Sequence, residues 1–217
     1  VGVGGSGGNA VDYMINSGVA GVDFIVINCD VQDLHHNLAE KKVHIGKNLT
    51  RGLGAGMNPE IGRQAAEETK SELQEVLKNA DMVFITSGLG GGTGTGASPI
   101  VAEIAKNQGS LTIAVVTKPF SFEGAERSRI AEEGFKNLVR VVDTVIVIPN
   151  DRLLNIAGDK TTFRSAFSLC DDVLKNSVEG ITELIVKPGI INLDFADVKT
   201  VMTEAGPAIM GIGNATG

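Results

Sequence analysis

Tryptophan is missing from this sequence, tyrosine occurs once, and aromatic residues make up only 4% of its 217 positions. Positive charge is also scarce: 19 Lys and Arg stand against 26 Asp and Glu, a formal net charge of −7. A nucleic-acid binder needs a basic face and rings for stacking, so that class is excluded. Only two cysteines occur, Cys29 and Cys170, with no CxxC and no Cys/His cluster. They read as small buried hydrophobes of a reducing compartment, and neither a disulfide framework nor a structural metal site is indicated. His35, His36 and His44 have no metal-like partners near them in sequence. No apolar run approaches a membrane span, and no signal peptide is visible. What abounds is glycine, 28 residues of it, beside a hydrophobic content of 42%. That is enough apolar matter for one large domain, or one and a half small ones.

The glycines cluster. The richest stretch is Ser87-Gly-Leu-Gly-Gly-Gly-Thr-Gly-Thr-Gly-Ala-Ser-Pro99. It follows the strand-like run Asp81-Met-Val-Phe-Ile-Thr-Ser87 and leads into a helical pattern carrying Ile100, Val101, Ile104 and Ala105. A strand, a glycine loop and a helix start together form an anion site, because inward-turned N–H groups and the helix dipole both favour a phosphate. Thr93 and Thr95 are candidate hydroxyl donors. No Gly-Lys-Ser/Thr closes the loop, so it is not a P-loop.

A second glycine loop, Val1 to Asn9, opens a helix expected over about 9–16. Gly2, Gly4 and Gly7 also satisfy the dinucleotide pattern G-x-G-x-x-G, with Asp30 as a candidate ribose acid, so an NAD site remains an alternative for this quarter of the chain. A third loop, Arg51-Gly-Leu-Gly-Ala-Gly56, precedes Asn58-Pro59-Glu60, a helix start with Pro at an early position. That helix is expected to run to about Asn79. Further strands are expected at 42–46, 111–117 and 144–149, with a charged helix through Arg140. Strands alternate with helices, and the strand runs are almost wholly apolar, which means a parallel sheet covered on both faces. The expected fold is α/β: a Rossmann-like, doubly wound, mainly parallel sheet with helices on both faces. Ligands bind such a sheet at the strands' carboxyl ends.

From Phe163 to Lys187 the apolar positions keep a helical period, predicting one long helix of roughly 35 Å. Pro188-Gly189 ends it. Asp194 and Asp197, three apart, share one side of the first turn of a following short helix. An N-cap and a dipole partner would account for both without any catalysis. The chain opens in mid-strand at Val1-Gly-Val and stops as a new strand begins near Ala208, as a fragment of a longer protein would. The expected divisions are 1–162, a nucleotide domain; 163–187, the long central helix; and 188–217, the start of a truncated second subdomain.

Taken together, these motifs resemble the tubulin/FtsZ GTPase superfamily in its bacterial cell-division form. The resemblance rests on Gly90-Gly-Gly-Thr-Gly-Thr-Gly96, Val3-Gly-Gly-Ser-Gly-Gly-Asn-Ala10, Arg51 to Glu60, Lys118-Pro-Phe-Ser-Phe-Glu-Gly124, Asn150-Asp-Arg-Leu-Leu154 and Asn192-Leu-Asp-Phe-Ala-Asp197. It implies GTP or GDP as ligand. Gly4, Gly5, Gly8 and Asn9 would lie along the phosphates, and Gly90, Gly91, Gly92, Thr93 and Gly94 would cradle the β- and γ-phosphates. Gly56 would sense the γ-phosphate, Glu123 and Arg127 would hold the ribose, and Asn150 and Asp171 would read guanine. Asp194, Asp197 and Asn192 would be catalytic, and Mg²⁺ would be bound through the nucleotide. The resemblance further implies a cytoplasmic, self-assembling GTPase of the mid-cell division ring. Its partners would be itself, head to tail, and membrane adaptors reached through a tail absent here.

Two departures stand out: Tyr13 where the family often has Arg, and Ser6 within the first glycine tract. Ser6 would be strained if its position required a positive φ. The long helix separates Asp194 and Asp197 from the phosphate loops, so any catalysis by them falls on a neighbouring subunit's nucleotide. The rival readings are an NAD-dependent oxidoreductase and a GTP-holding filament scaffold without turnover.

Overall fold

A computed structural model describes residues 1–157, 162–186 and 194–210. Its frame is a seven-stranded sheet in the order β3-β2-β1-β4-β5-β6-β7, every pairing parallel. The strands are β1 (Gly2–Val3), β2 (Ile25–Asn28), β3 (Lys41–His44), β4 (Met82–Gly88), β5 (Leu111–Lys118), β6 (Thr144–Pro149) and β7 (Gly206–Ala208). The helices are α1 (Gly4–Asn16), α2 (Val31–His36), α3 (Lys47–Thr50), α4 (Pro59–Glu68), α5 (Lys70–Val76), α6 (Thr93–Asn107), α7 (Ala125–Val139), α8 (Asn150–Ala157), α9 (Phe163–Val186) and α10 (Phe195–Met202). The expected doubly wound fold is present, and the strand order reverses between β1 and β4.

Strand β5 shows why the central strand runs are mostly apolar. Leu111, Ile113 and Val115 face Ala10, Met14, Leu174 and Val178 of α1 and α9. The alternate residues Ala114 and Val116 face Ala97, Val101 and Leu138 of α6 and α7. Both faces lie against apolar side chains, so both parities are mainly apolar, with Thr112 and Thr117 the exceptions near the strand's two ends.

Three boundaries differ from those expected. Helix α1 begins at Gly4, not Asn9, so the first glycine tract is mostly helix. Its glycines serve close approach: a Cβ on Gly7 would stand 2.5 Å from the Thr86 carbonyl oxygen. Tertiary packing here overrides glycine's poor helix propensity. Helix α6 likewise starts at Thr93 and contains Pro99. The expected helix from Pro59 to Asn79 is interrupted at Thr69, whose hydroxyl accepts from Gly46 N–H at 3.1 Å and donates to the Ala65 carbonyl at 3.1 Å. Ser6 has no positive φ, so that departure carries no backbone strain. No described helix is long and apolar enough to cross a membrane.

At the far end of the sheet Asp143, 4% exposed, is fixed from two sides. Its Oδ2 accepts from Thr112 N–H at 2.9 Å, and its Oδ1 lies 3.0 Å from Lys106 Nζ.

Candidate functional site

Three glycine-rich segments meet at the carboxyl ends of β1 and β4, where the strand order reverses. Gly4 takes φ +72°, and a Cβ there would stand 2.8 Å from the Gly94 amide nitrogen. The first and central glycine segments therefore touch backbone to backbone. Gly92 packs on the third segment: a Cβ would stand 2.8 Å from the Ala55 Cβ and 2.9 Å from the Asn58 nitrogen. Gly90, at φ +103°, approaches the Arg127 carbonyl oxygen at 2.9 Å in the same sense. Beside Gly91 and Gly56 there is open space, with nothing within 4 Å of a built Cβ.

Helices α1 and α6 both start at this junction. Unpaired first-turn N–H groups and two dipole ends point at it. The Thr95 hydroxyl has a partner within the loop. Thr95, 3% exposed, uses its hydroxyl to accept from Gly90 N–H at 2.9 Å. This contact braces the loop from within. Asp33 borders the first glycine segment, its Oδ2 3.1 Å from the position of a Gly5 Cβ and held by Asn28 Nδ2 at 3.2 Å. Asp30 caps α2 through the Gln32 and Asp33 N–H groups, which accounts for it without a ribose.

The second half of the site is gathered by an aromatic cluster. Phe120 is fully buried and packs with Ala166, Cys170, Leu153 and Leu154, joining the turn at Ser121–Glu123, helix α8 and the first half of α9. Glu123 accepts from Phe120 N–H at 2.9 Å and from Arg127 Nη1 at 2.7 Å. Asn150 opens α8 at 4% exposure, and its Oδ1 meets no donor among the described residues. A buried amide oxygen without a partner costs free energy unless something else fills the place. Burial, and next the adjacent Asp172, push the Asp171 carboxyl up to about 6. Burial, and next Asp171, push the Cys170 thiol up to about 12, leaving it inert as a nucleophile. Tyr13 donates its hydroxyl to Asp172 Oδ1, tying α1 to α9.

One partly exposed ring borders this cluster, Phe167, which the sequence shows only as part of the apolar stripe of α9. Its ring stands edge-on to Phe120 at 5.1 Å between centroids, and it remains 45% exposed. It lies four residues before Asp171, on the same helix face.

Asp194 and Asp197 are not brought to the loops. They form a reciprocal cap at the start of α10: Asp197 N–H donates to Asp194 Oδ1 at 2.9 Å, and Asp194 N–H to Asp197 Oδ2 at 3.4 Å. Helix α10 sits at the amino ends of the strands. Lys199 Nζ reaches the Gly109 carbonyl at 3.3 Å, and the Met202 carbonyl accepts from the Thr144 hydroxyl at 2.7 Å. The length of β5 then separates the carboxylates from the glycine segments by roughly 25 Å. Asn192 lies outside the described residues.

Comparison with known proteins accords with this geometry. The family described as Tubulin/FtsZ family, GTPase domain, matches residues 1–158. The cell division protein FtsZ of Wigglesworthia glossinidia brevipalpis is 56% identical over 217 residues, covering 100% of this chain and 56% of that protein. The same-named protein of Caulobacter vibrioides is 55% identical over 216 residues, covering 100% of this chain and 42% of that protein. Among solved structures, an FtsZ dimer from M. jannaschii superposes with a TM-score of 0.90 at 50% identity, covering 95% of this chain and 60% of that one. The chain thus spans about half the length of its curated relatives. With its glycine segments meeting at the switch point of a parallel sheet and a family match over 158 consecutive residues, this chain belongs to the Tubulin/FtsZ family and carries its GTPase domain.

Proposed function

We propose that this chain binds GTP at the converged glycine segments and, in its whole protein, hydrolyses it where one subunit stacks head to tail on the next. The observation that carries the reading is the backbone contact of Gly4 with Gly94 at the sheet's switch point, which builds one anion cradle from two helix starts. Gly4, Gly5, Gly8 and Asn9 border the phosphates on one side, and Gly90, Gly91, Gly92, Thr93 and Gly94 on the other, with Gly56 near the terminal phosphate. Glu123 and Arg127 take the ribose side.

Guanine is selected by groups left waiting for it. The unpartnered Asn150 Oδ1 accepts a base N–H, and Asp171, when ionised, accepts from the ring N1–H and the 2-amino group. Adenine offers no such pair of donors on that edge. Phe167 supplies an exposed ring beside them. A bound Mg²⁺ supplies charge neutralisation at the phosphates, and the Asp33 carboxylate, a hard oxygen donor beside Gly5, has the chemistry to face it.

Asp194 and Asp197, remote from their own subunit's cradle, serve a neighbour's. Carboxylates orient and polarise an attacking water, and phosphoryl transfer asks for positioning more than covalent chemistry. The dimeric M. jannaschii relative accords with self-association. A heterologous contact that does not close gives a filament, the form expected of a division-ring component in the cytoplasm. The deciding experiment is GTP hydrolysis per protomer against protein concentration, on the whole protein. Activity that appears only above a threshold concentration supports a site built between subunits. A constant specific rate down to high dilution removes the carboxylates from the reaction.

A further inference from the structure

Tyr13 and Asp172 belong to different elements, and their hydrogen bond joins the helix that starts at the phosphate cradle to the helix that carries Asp171. We propose that Tyr13 positions the guanine-reading carboxylate: by donating to Asp172 it fixes that side chain and spreads its charge, leaving Asp171 the ionised acceptor for the base. This rests on Asp171 reading guanine.

Arg164 lines the same surface hollow as Asp172, and Arg152 lies exposed on α8, but neither is within ion-pair distance of Asp172; the remaining neighbouring charges are engaged elsewhere, which leaves the task to Tyr13. Lys175, three residues after Asp172 on α9, pairs with Glu179 at 3.1 Å. Asp12 on α1 accepts from Leu38 N–H at 2.7 Å, turned toward the β2–β3 side. Asp151 on α8 accepts from Ser121 N–H at 2.9 Å, and Glu123 holds Arg127 at 2.7 Å. Two adjacent carboxylates, one of them largely buried, resist being charged together. The hydroxyl proton of Tyr13 lowers that cost by neutralising part of the Asp172 charge at its source. Its own pKa is raised chiefly by this hydrogen bond, so it stays a donor at every physiological pH.

The test is GDP affinity of the whole protein by calorimetry from about pH 5 to about pH 8.5, for wild type, Tyr13→Phe, Asp172→Asn, the double variant and Asp171→Ala. Wild-type affinity should fall as pH drops through about 6. Tyr13→Phe should move that fall upward by about 0.5–1 pH unit and leave affinity at high pH nearly unchanged. Asp172→Asn should move it downward, and the double variant should behave as Asp172→Asn alone. Asp172→Asn tests the coupling even if Tyr13→Phe folds poorly. A loss in Tyr13→Phe that is the same at every pH means the tyrosine only packs α1 on α9, and the inference falls. Wild-type affinity in Asp171→Ala overturns the guanine assignment itself, a distinct result.

Discussion

Gly91→Ala separates the fold from the ligand. A Cβ built on Gly91 meets no atom within 4 Å, and Gly91 has no positive φ, so alanine fits the backbone and touches nothing. Stability should stay within about 0.5 kcal/mol of wild type, as for substitutions that break no packing. Under the proposed binding mode, the open space beside Gly91 is where the cradle receives a phosphate. A methyl group there pushes the phosphate off one charge-assisted N–H···O bond, worth about 1.5–3 kcal/mol, and should weaken GTP binding by about 10- to 100-fold. Thermal melting of the free protein and calorimetric titration with GTP give the two readouts. An unchanged melting temperature with wild-type GTP affinity would refute the placement of the phosphates against Gly91. The contrast is Gly96, where a Cβ would stand 1.9 Å from the Pro59 carbonyl oxygen.

Gly96→Ala should therefore destabilise the free protein by about 1–3 kcal/mol or more, seen as a lowered denaturation midpoint. Asp171→Asn should stabilise the free protein above pH 6: the raised carboxyl binds its proton more tightly folded than unfolded, so stability falls as pH rises from the usual carboxylate range to about 6. The gain, read from urea curves at pH 7 and pH 4, should be about 1–2 kcal/mol at pH 7 and vanish at pH 4, at the expense of guanine affinity. Asp197→Ala should leave GTP binding intact and abolish turnover in the whole protein, while loss of the reciprocal cap costs about 0.5–1 kcal/mol; equal loss of binding and turnover would count against a role across the interface. Asp143→Ala should destabilise by about 1–3 kcal/mol, because it leaves the buried Thr112 N–H without its acceptor while the solvent-accessible Lys106 returns to water, and denaturation curves should show this without nucleotide.

The parallel sheet was legible because both parities of β5 and β6 are apolar, a pattern only a doubly covered strand requires. The long helix was legible because its stripe runs unbroken from Phe163. The helix starts at Gly4 and Thr93 were not, since a glycine tract reads locally as loop; the deciding contacts, with Thr86 for Gly7 and Pro59 for Gly96, come from distant chain segments. Thr95 was legible as a polar residue of the loop but not in its direction, which the Gly90 N–H fixes. The Tyr13–Asp172 bond spans 159 positions, beyond any sequence periodicity. The capping of Asp194 and Asp197 was readable from their spacing alone.

All seven strands point the same way, so the subunit has two unlike ends, a cradle at one and the capped carboxylates at the other. Under the proposed stacking, a row of subunits always holds one fewer complete site than it has members. The terminal cradle, with no subunit above it, keeps its nucleotide intact however old the row becomes. Age is then recorded along the filament rather than within any one subunit, and the two tips of the same polymer obey different chemistry.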